Sequence, residues 1–143
     1  MQGLAGRVAL VTGAGRGIGR AICLSYGAAG AKVAVSARST DELASVVQDI
    51  RAAGGAAEAF PADLSDPAVP ASLLESVAAT LGTVEVLVNN AGVGSSSDPK
   101  PLVEFDDEFW KLTLEVNLNA PYRLTKLALP PMIAAGWGRV ITV

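Results

Sequence analysis

The sequence of 143 residues has no histidine and a single cysteine, Cys23. The missing histidine removes Ser-His-Asp and Cys-His catalysis, and with it the commonest metal ligand. One cysteine cannot close a disulfide within the chain, and without a Cys-x-x-Cys pair no zinc knot or other metal site is expected. Charge is sparse too: 17% of residues are charged, 11 basic against 14 acidic, for a net charge of -3. No basic run interleaves with aromatics, so nucleic acid is not an expected partner. No apolar run nears the ~18–20 residues of a membrane span. The run Val8-Ala9-Leu10-Val11 is too short for a signal peptide, and glycines and Arg16 follow it at once. The expectation is a cytoplasmic protein whose chemistry is borrowed from a cofactor. No linker or low-complexity tract divides the chain, so 1–143 reads as one domain.

What is present is an alternation of short apolar runs and helical patterns. Arg7–Thr12, Lys32–Ser36, Ala56–Phe60, Val84–Val88 and Arg139–Val143 read as strands. Gly17–Ala29 reads as a helix. Ser39-Thr40-Asp41-Glu42 reads as a capping box opening a second helix to about Ala53, where Gly54-Gly55 stops it. Asp66-Pro67 reads as a cap with proline at the first helical position of a third helix, ending near Gly82. After a loop, Asn89–Pro101, a helical region over about Phe105–Ala135 is expected to bend near Asn117–Pro121, because proline lacks an amide donor. The strand runs are almost continuously apolar, as strands buried on both faces require. The fold class expected is α/β, a doubly wound, Rossmann-like parallel sheet that ends after about the fifth strand. Its crossovers should be right-handed, and its ligand should lie at the carboxyl ends of the strands where the winding reverses.

The first strand runs straight into Thr12-Gly13-Ala14-Gly15-Arg16-Gly17-Ile18-Gly19, and a helix follows. Glycines admit positive φ and let a phosphate approach main-chain amides, and the helix N-terminus adds unpaired N–H groups and partial positive charge. Gly-x-Gly-x-x-Gly does not fit, since its third glycine would fall on Ile18. A phosphate loop ending in Gly-Lys does not fit either, because the segment has no lysine. Thr-Gly-x-x-x-Gly-x-Gly does fit, and it predicts a dinucleotide pyrophosphate site rather than a plain turn.

Four features in order, Thr12–Gly19, Asp63-Leu64, Asn89-Asn90-Ala91-Gly92 and Asn117, make the sequence resemble the short-chain dehydrogenase/reductase family, in its single-domain branch. The resemblance covers essentially the whole chain. It implies an oxidoreductase that interconverts carbonyl and alcohol by hydride transfer, acting on a small-molecule substrate once the domain is complete. It also implies roles. Gly13, Gly17, Ile18 and Gly19 would hold the pyrophosphate, and Arg16 in the same loop would also bind the cofactor. Asp63 would bond the adenine amino group, with a backbone contact from Leu64. Asn90, Ala91 and Gly92 would line the ribose and steady the sheet. Asn117 would help hold a water in a proton relay toward a lysine. A non-catalytic nucleotide-binding or interaction module is the alternative, and another Rossmann-like enzyme such as a methyltransferase or epimerase is a third.

Enzymes that use NAD commonly carry an acid at the end of the second strand for the ribose 2′-OH. Here Ser36-Ala37-Arg38 stands in that place. A 2′-phosphate would be attracted by Arg38, and Arg16 could approach it as well, so NADP(H) is favoured over NAD(H). The family's catalytic serine and its Tyr-x-x-x-Lys follow the fifth strand, so the chain is expected to stop before them and to be inactive alone. Tyr122-Arg123-Leu124-Thr125-Lys126 spells Tyr-x-x-x-Lys but precedes that strand, and reads as coincidence. Cys23 reads as a small core residue, and Phe109 and Trp110 as helix packing. Val140, Ile141 and Val143 at an open sheet edge predict a homo-oligomer or self-association.

Overall fold

The computed structural model describes residues 3–94 and 99–143, so part of the expected 89–101 loop lies outside the described residues. Five parallel strands form one sheet: β1 (Val8–Thr12), β2 (Lys32–Ala37), β3 (Ala56–Pro61), β4 (Val86–Asn89) and β5 (Arg139–Thr142), in the order β3-β2-β1-β4-β5. β1 is therefore central, and the winding reverses between β1 and β4, as a doubly wound sheet requires. Helices α1 (Gly17–Ala28), α2 (Thr40–Ala52) and α3 (Val69–Thr80) make the first crossovers. The expected parallel α/β class is the one observed.

The alternation of side chains along each strand builds two cores, one per face. Ala9 and Val11 of β1 face Cys23 of α1 and Leu43, Val46 and Ile50 of α2. Val8 and Leu10 face the other way, with Leu87, Leu73 and Val77 of α3, and Leu124, Ala128 and Met132 farther on. Cys23 has no exposed surface, and burial pushes its thiol up to about 12. A thiolate there would be desolvated, so the residue packs rather than reacts.

Two local expectations need correction. The third helix does not start at Pro67. Asp66 instead turns its carboxylate onto the Ala68 N–H at 2.9 Å, and its carbonyl accepts from Val69 N–H. That Asx turn occupies the cap, so the helix begins at Val69 with Pro70 in its first turn. The long helical region is three pieces: α4 (Asp107–Leu114), a π-helical turn (Glu115–Asn119) and α5 (Ala120–Ala134). The Ala120 N–H reaches back five residues to the Glu115 carbonyl, and Pro121, with no N–H, follows at once. The register changes where proline was expected to act, but by a widened turn. Glu115 ties that turn together, accepting from Asn119 at 2.8 Å and pairing with Arg123. The Asn119 amide, with a smaller contribution from Arg123, holds its carboxyl below the ordinary value.

No helix among the described residues is long and apolar enough to cross a membrane. β5 is exposed at every residue, on one edge of the sheet. Leu87→Ala, at a site with no exposed surface, should cost about 2–5 kcal/mol in denaturant unfolding. Leu102→Ala, where 84% is exposed, should be nearly silent in the same measurement.

Candidate functional site

Where β1 and β4 part, backbone groups beyond the ladder need new partners. Thr12 supplies them. Its hydroxyl donates to the Val88 carbonyl at 3.2 Å and accepts from the N–H groups of Asn90 and Ala91, both at 3.1 Å. The Asn90 side chain answers, its amide donating to the carbonyls of Thr12 at 3.0 Å and Gly13 at 3.1 Å. The ends of β1 and β4 are thus joined by side chains, and the glycine loop leaves from that joint.

The loop needs its glycines. Gly13 takes φ of +61°, and a Cβ there would stand 2.8 Å from the Ala91 Cα. A Cβ on Gly19 would run into the Gly13 carbonyl and lie 2.5 Å from the Asn90 amide nitrogen. Gly17 opens α1 with φ of +55°. Arg16 is the N-cap of α1 and makes no side-chain cap, so the first-turn amides stay available to an anion.

Over this joint lies a cleft of about 660 Å³. The loop contributes Gly13, Arg16 and Ile18 to its wall; the end of β2 contributes Arg38; the end of β3 contributes Asp63 and Leu64; the end of β4 contributes Asn90, Ala91 and Gly92. The structure thus brings together nine of the residues the sequence singled out. Gly17 and Gly19 shape the loop without lining the cleft. Asn117, on the π turn, stands beside it: its side chain accepts from the Val93 N–H and donates to the Val93 carbonyl, both at 2.8 Å. Val93 lines the cleft, so Asn117 holds one wall in place.

Asp63 accepts from the Ser65 N–H at 3.0 Å. That amide, then the Ser65 hydroxyl, and to a smaller degree Arg38 hold its carboxyl below the ordinary value, so it is ionised at neutral pH. The sequence reading missed Ser39, Glu42, Ala62, Leu112 and Val116, which also line the cleft. Ser39 and Glu42 carried a signal as a capping box, but nothing local says that Glu42 faces a cleft. Tyr122 and Lys126 do not line it. Both are exposed on α5, with the Lys126 ammonium 5.6 Å from the Tyr122 ring centre. Trp110 and Phe109 pack around Phe105, with ring centres 6.4 and 5.8 Å away.

The short chain dehydrogenase family model matches residues 7–143. The chain is 40% identical over 138 residues to the 3-oxoacyl-(acyl-carrier-protein) reductase FabG of Escherichia coli, covering 96% of this chain and 54% of that protein. It is 41% identical over 142 residues to a short chain dehydrogenase of Pseudocercospora fijiensis, covering 98% of this chain and 45% of that one. The chain therefore spans about half the length of the curated relatives it matches. Among solved structures, a metagenomic short-chain oxidoreductase in complex with NADP superposes with a TM-score of 0.91 at 44% identity, over 97% of this chain and 62% of that one. A gluconate 5-dehydrogenase homologue from Beutenbergia cavernae, with NADP bound at low occupancy, gives 0.87 at 45% identity, over 97% and 54%.

Thr12→Val keeps the shape and removes the hydroxyl. Two N–H groups and one carbonyl then lose their partner, so stability should fall by about 1–3 kcal/mol. Hydrogen exchange at Asn90 and Ala91 should rise by more than at Val33 of β2. Equal change at both places would show that Thr12 does not join the strands.

Proposed function

This chain belongs to the short chain dehydrogenase family, and we propose that its cleft binds a nicotinamide dinucleotide, NADP(H) ahead of NAD(H), within an oxidoreductase that interconverts a small carbonyl compound and its alcohol. The observation that carries this is the glycine loop closed onto Asn90 and Ala91, with Arg16 and Arg38 in the wall of one cleft. The fit is physical. Glycines at 13 and 19 leave no room for a Cβ, the first turn of α1 presents unpaired amides, and the cleft is of ligand size. The two solved neighbours carry NADP, which agrees with the charge logic at Arg38.

When bound, a nicotinamide supplies the hydride acceptor or donor. The chain's own residues bind and orient. Gly13, Gly17, Ile18 and Gly19 would receive the pyrophosphate at the start of α1. Asp63, held as a carboxylate, would accept from the adenine amino group, and Leu64 would add a backbone contact. Asn90, Ala91 and Gly92 would border the ribose. Asn117 acts as a positioning residue through Val93, and we assign it to the family's proton relay on that basis. The serine and the Tyr-x-x-x-Lys that the family places after β5 are not among these 143 residues. We read 1–143 as the cofactor-binding portion of a longer domain, matching its share of the relatives' length, and place its activity in the cytoplasm. We also infer self-association, because Leu118, Tyr122 and Ile133 expose 61–73% of their surface along the π turn and α5.

Arg38→Ala should weaken NADPH binding by about 10–100-fold, the worth of a hydrogen bond to a charged group. NADH binding should barely change. Equal loss of both in calorimetric titration would count against the 2′-phosphate role.

The 143-residue chain should bind cofactor without oxidising NADPH against any of a panel of ketones, because no placed acid or base polarises the carbonyl. Turnover that disappears in a folded Tyr122→Phe variant would instead make the Tyr122–Lys126 pair catalytic.

A further inference from the structure

Glu42 lines the cleft, and among the described residues nothing takes up its carboxylate. Ser39 caps α2 by accepting from the Glu42 N–H at 3.3 Å. In a complete capping box the glutamate carboxylate returns to the cap residue's amide. Here it does not: among the described residues, the Glu42 side chain has neither a hydrogen-bond nor an ion-pair partner. It lies instead across the glycine loop. A Cβ on Gly15 would stand 2.5 Å from Glu42 Oε2 and 2.9 Å from its Cβ. Only a glycine lets α2 and the loop approach so closely.

That position gives the β2 end of the cleft a mixed charge. Arg16 and Arg38 line it as two cations; among the described residues neither makes a close ion pair, and Arg38 acts on the Asp63 carboxylate only as a minor influence. Glu42 shares this wall with them. Asp63, the other carboxylate of the cleft, sits at the β3 end and is held chiefly by Ser65, with a smaller attraction from Arg38. A ribose 2′-phosphate entering beside Arg38 is attracted by both guanidinium groups and repelled by Glu42. A 2′-hydroxyl is neutral and can donate to a carboxylate. The acid absent from the end of β2 thus reappears at the third residue of α2, brought to the cleft by the Gly15 contact.

We propose that Glu42 is a specificity-determining residue, which opposes Arg16 and Arg38 and keeps the unphosphorylated dinucleotide within range of this cleft. The inference rests on the cofactor reading above. Preference between the two dinucleotides is then a difference between opposing charges, smaller than the arginines alone would produce.

The test is to titrate NADPH and NADH into the 143-residue chain, as wild type, Glu42→Gln and Glu42→Ala. Both substitutions keep the backbone N–H that Ser39 accepts from, so the cap on α2 survives. The ratio of the NADH to the NADPH dissociation constant should rise about three- to tenfold in both variants, the size of one nearby charge in partly screened surroundings. NADPH should bind more tightly in absolute terms. The shift should shrink at high salt, because it is a charge effect. An unchanged or falling ratio, or a shift undiminished by salt, overturns the role of Glu42. If wild type binds NADPH and Arg38→Ala weakens it, such a result leaves the cofactor reading standing. If wild type binds neither dinucleotide, the cofactor reading falls and the role of Glu42 falls with it.

Discussion

A hydroxyl group has one proton to give and two lone pairs to accept with. Thr12 spends all three at the place where β1 and β4 separate, on the Val88 carbonyl and on the amides of Asn90 and Ala91. Thr12 is 1% exposed, so no water stands ready to replace those bonds. The cleft exists because the sheet's winding reverses here, and its floor is rigid because this joint leaves few backbone groups free to rearrange. Gly13 can approach Ala91 only while the joint holds, and Gly19 can approach Gly13 only while Gly13 is in place. The glycine loop is therefore the consequence of a tertiary contact as much as of its own composition.

The far wall depends on a second constraint. The Val93 backbone is gripped at both its N–H and its carbonyl by one asparagine side chain. Asn117 can do this from the middle of a π-helical turn. Such a turn takes an extra residue relative to an α-helix and shifts the facing of everything beyond it. Pro121 makes the wider turn cheap, since an α-helical bond to its nitrogen was never available. Glu115, Asn119 and Arg123 then hold the turn closed. Beyond the turn, Tyr122 and Lys126 are exposed on α5 and do not line the cleft.

Charge in the cleft is arranged by distance rather than by count. Asp63 is stabilised as an anion chiefly by Ser65, two residues on. Because its pKa is lowered on folding, its contribution to stability is present above the ordinary carboxylate range. It is lost as pH falls through the folded value. Among the described residues Glu42 has no such partner and Arg16 and Arg38 make no close ion pair, so beyond the weak pull of Arg38 on Asp63 their fields reach whatever enters. A net charge of -3 over the chain conceals this local balance of two cations and two carboxylates.

The sequence by itself determined the parallel α/β class, the five strands to within two residues at each end, the glycine loop and the acidic residue after β3. Each of these is written in neighbouring residues: continuous apolar runs, a capping serine, glycines where positive φ is needed. It misplaced the start of the third helix because Asp66 had two local bonds to choose between, and the Asx turn won over the helix cap. What only the tertiary structure decided are the contacts between residues far apart in the chain. Thr12 meets Asn90 across 78 residues, Asn117 meets Val93 across 24, and Glu42 lies over Gly15. No window of sequence contains both partners of such a pair. The direction a side chain such as Glu42 takes is settled by which backbone leaves it room, and that is known only once the sheet has brought the helices together.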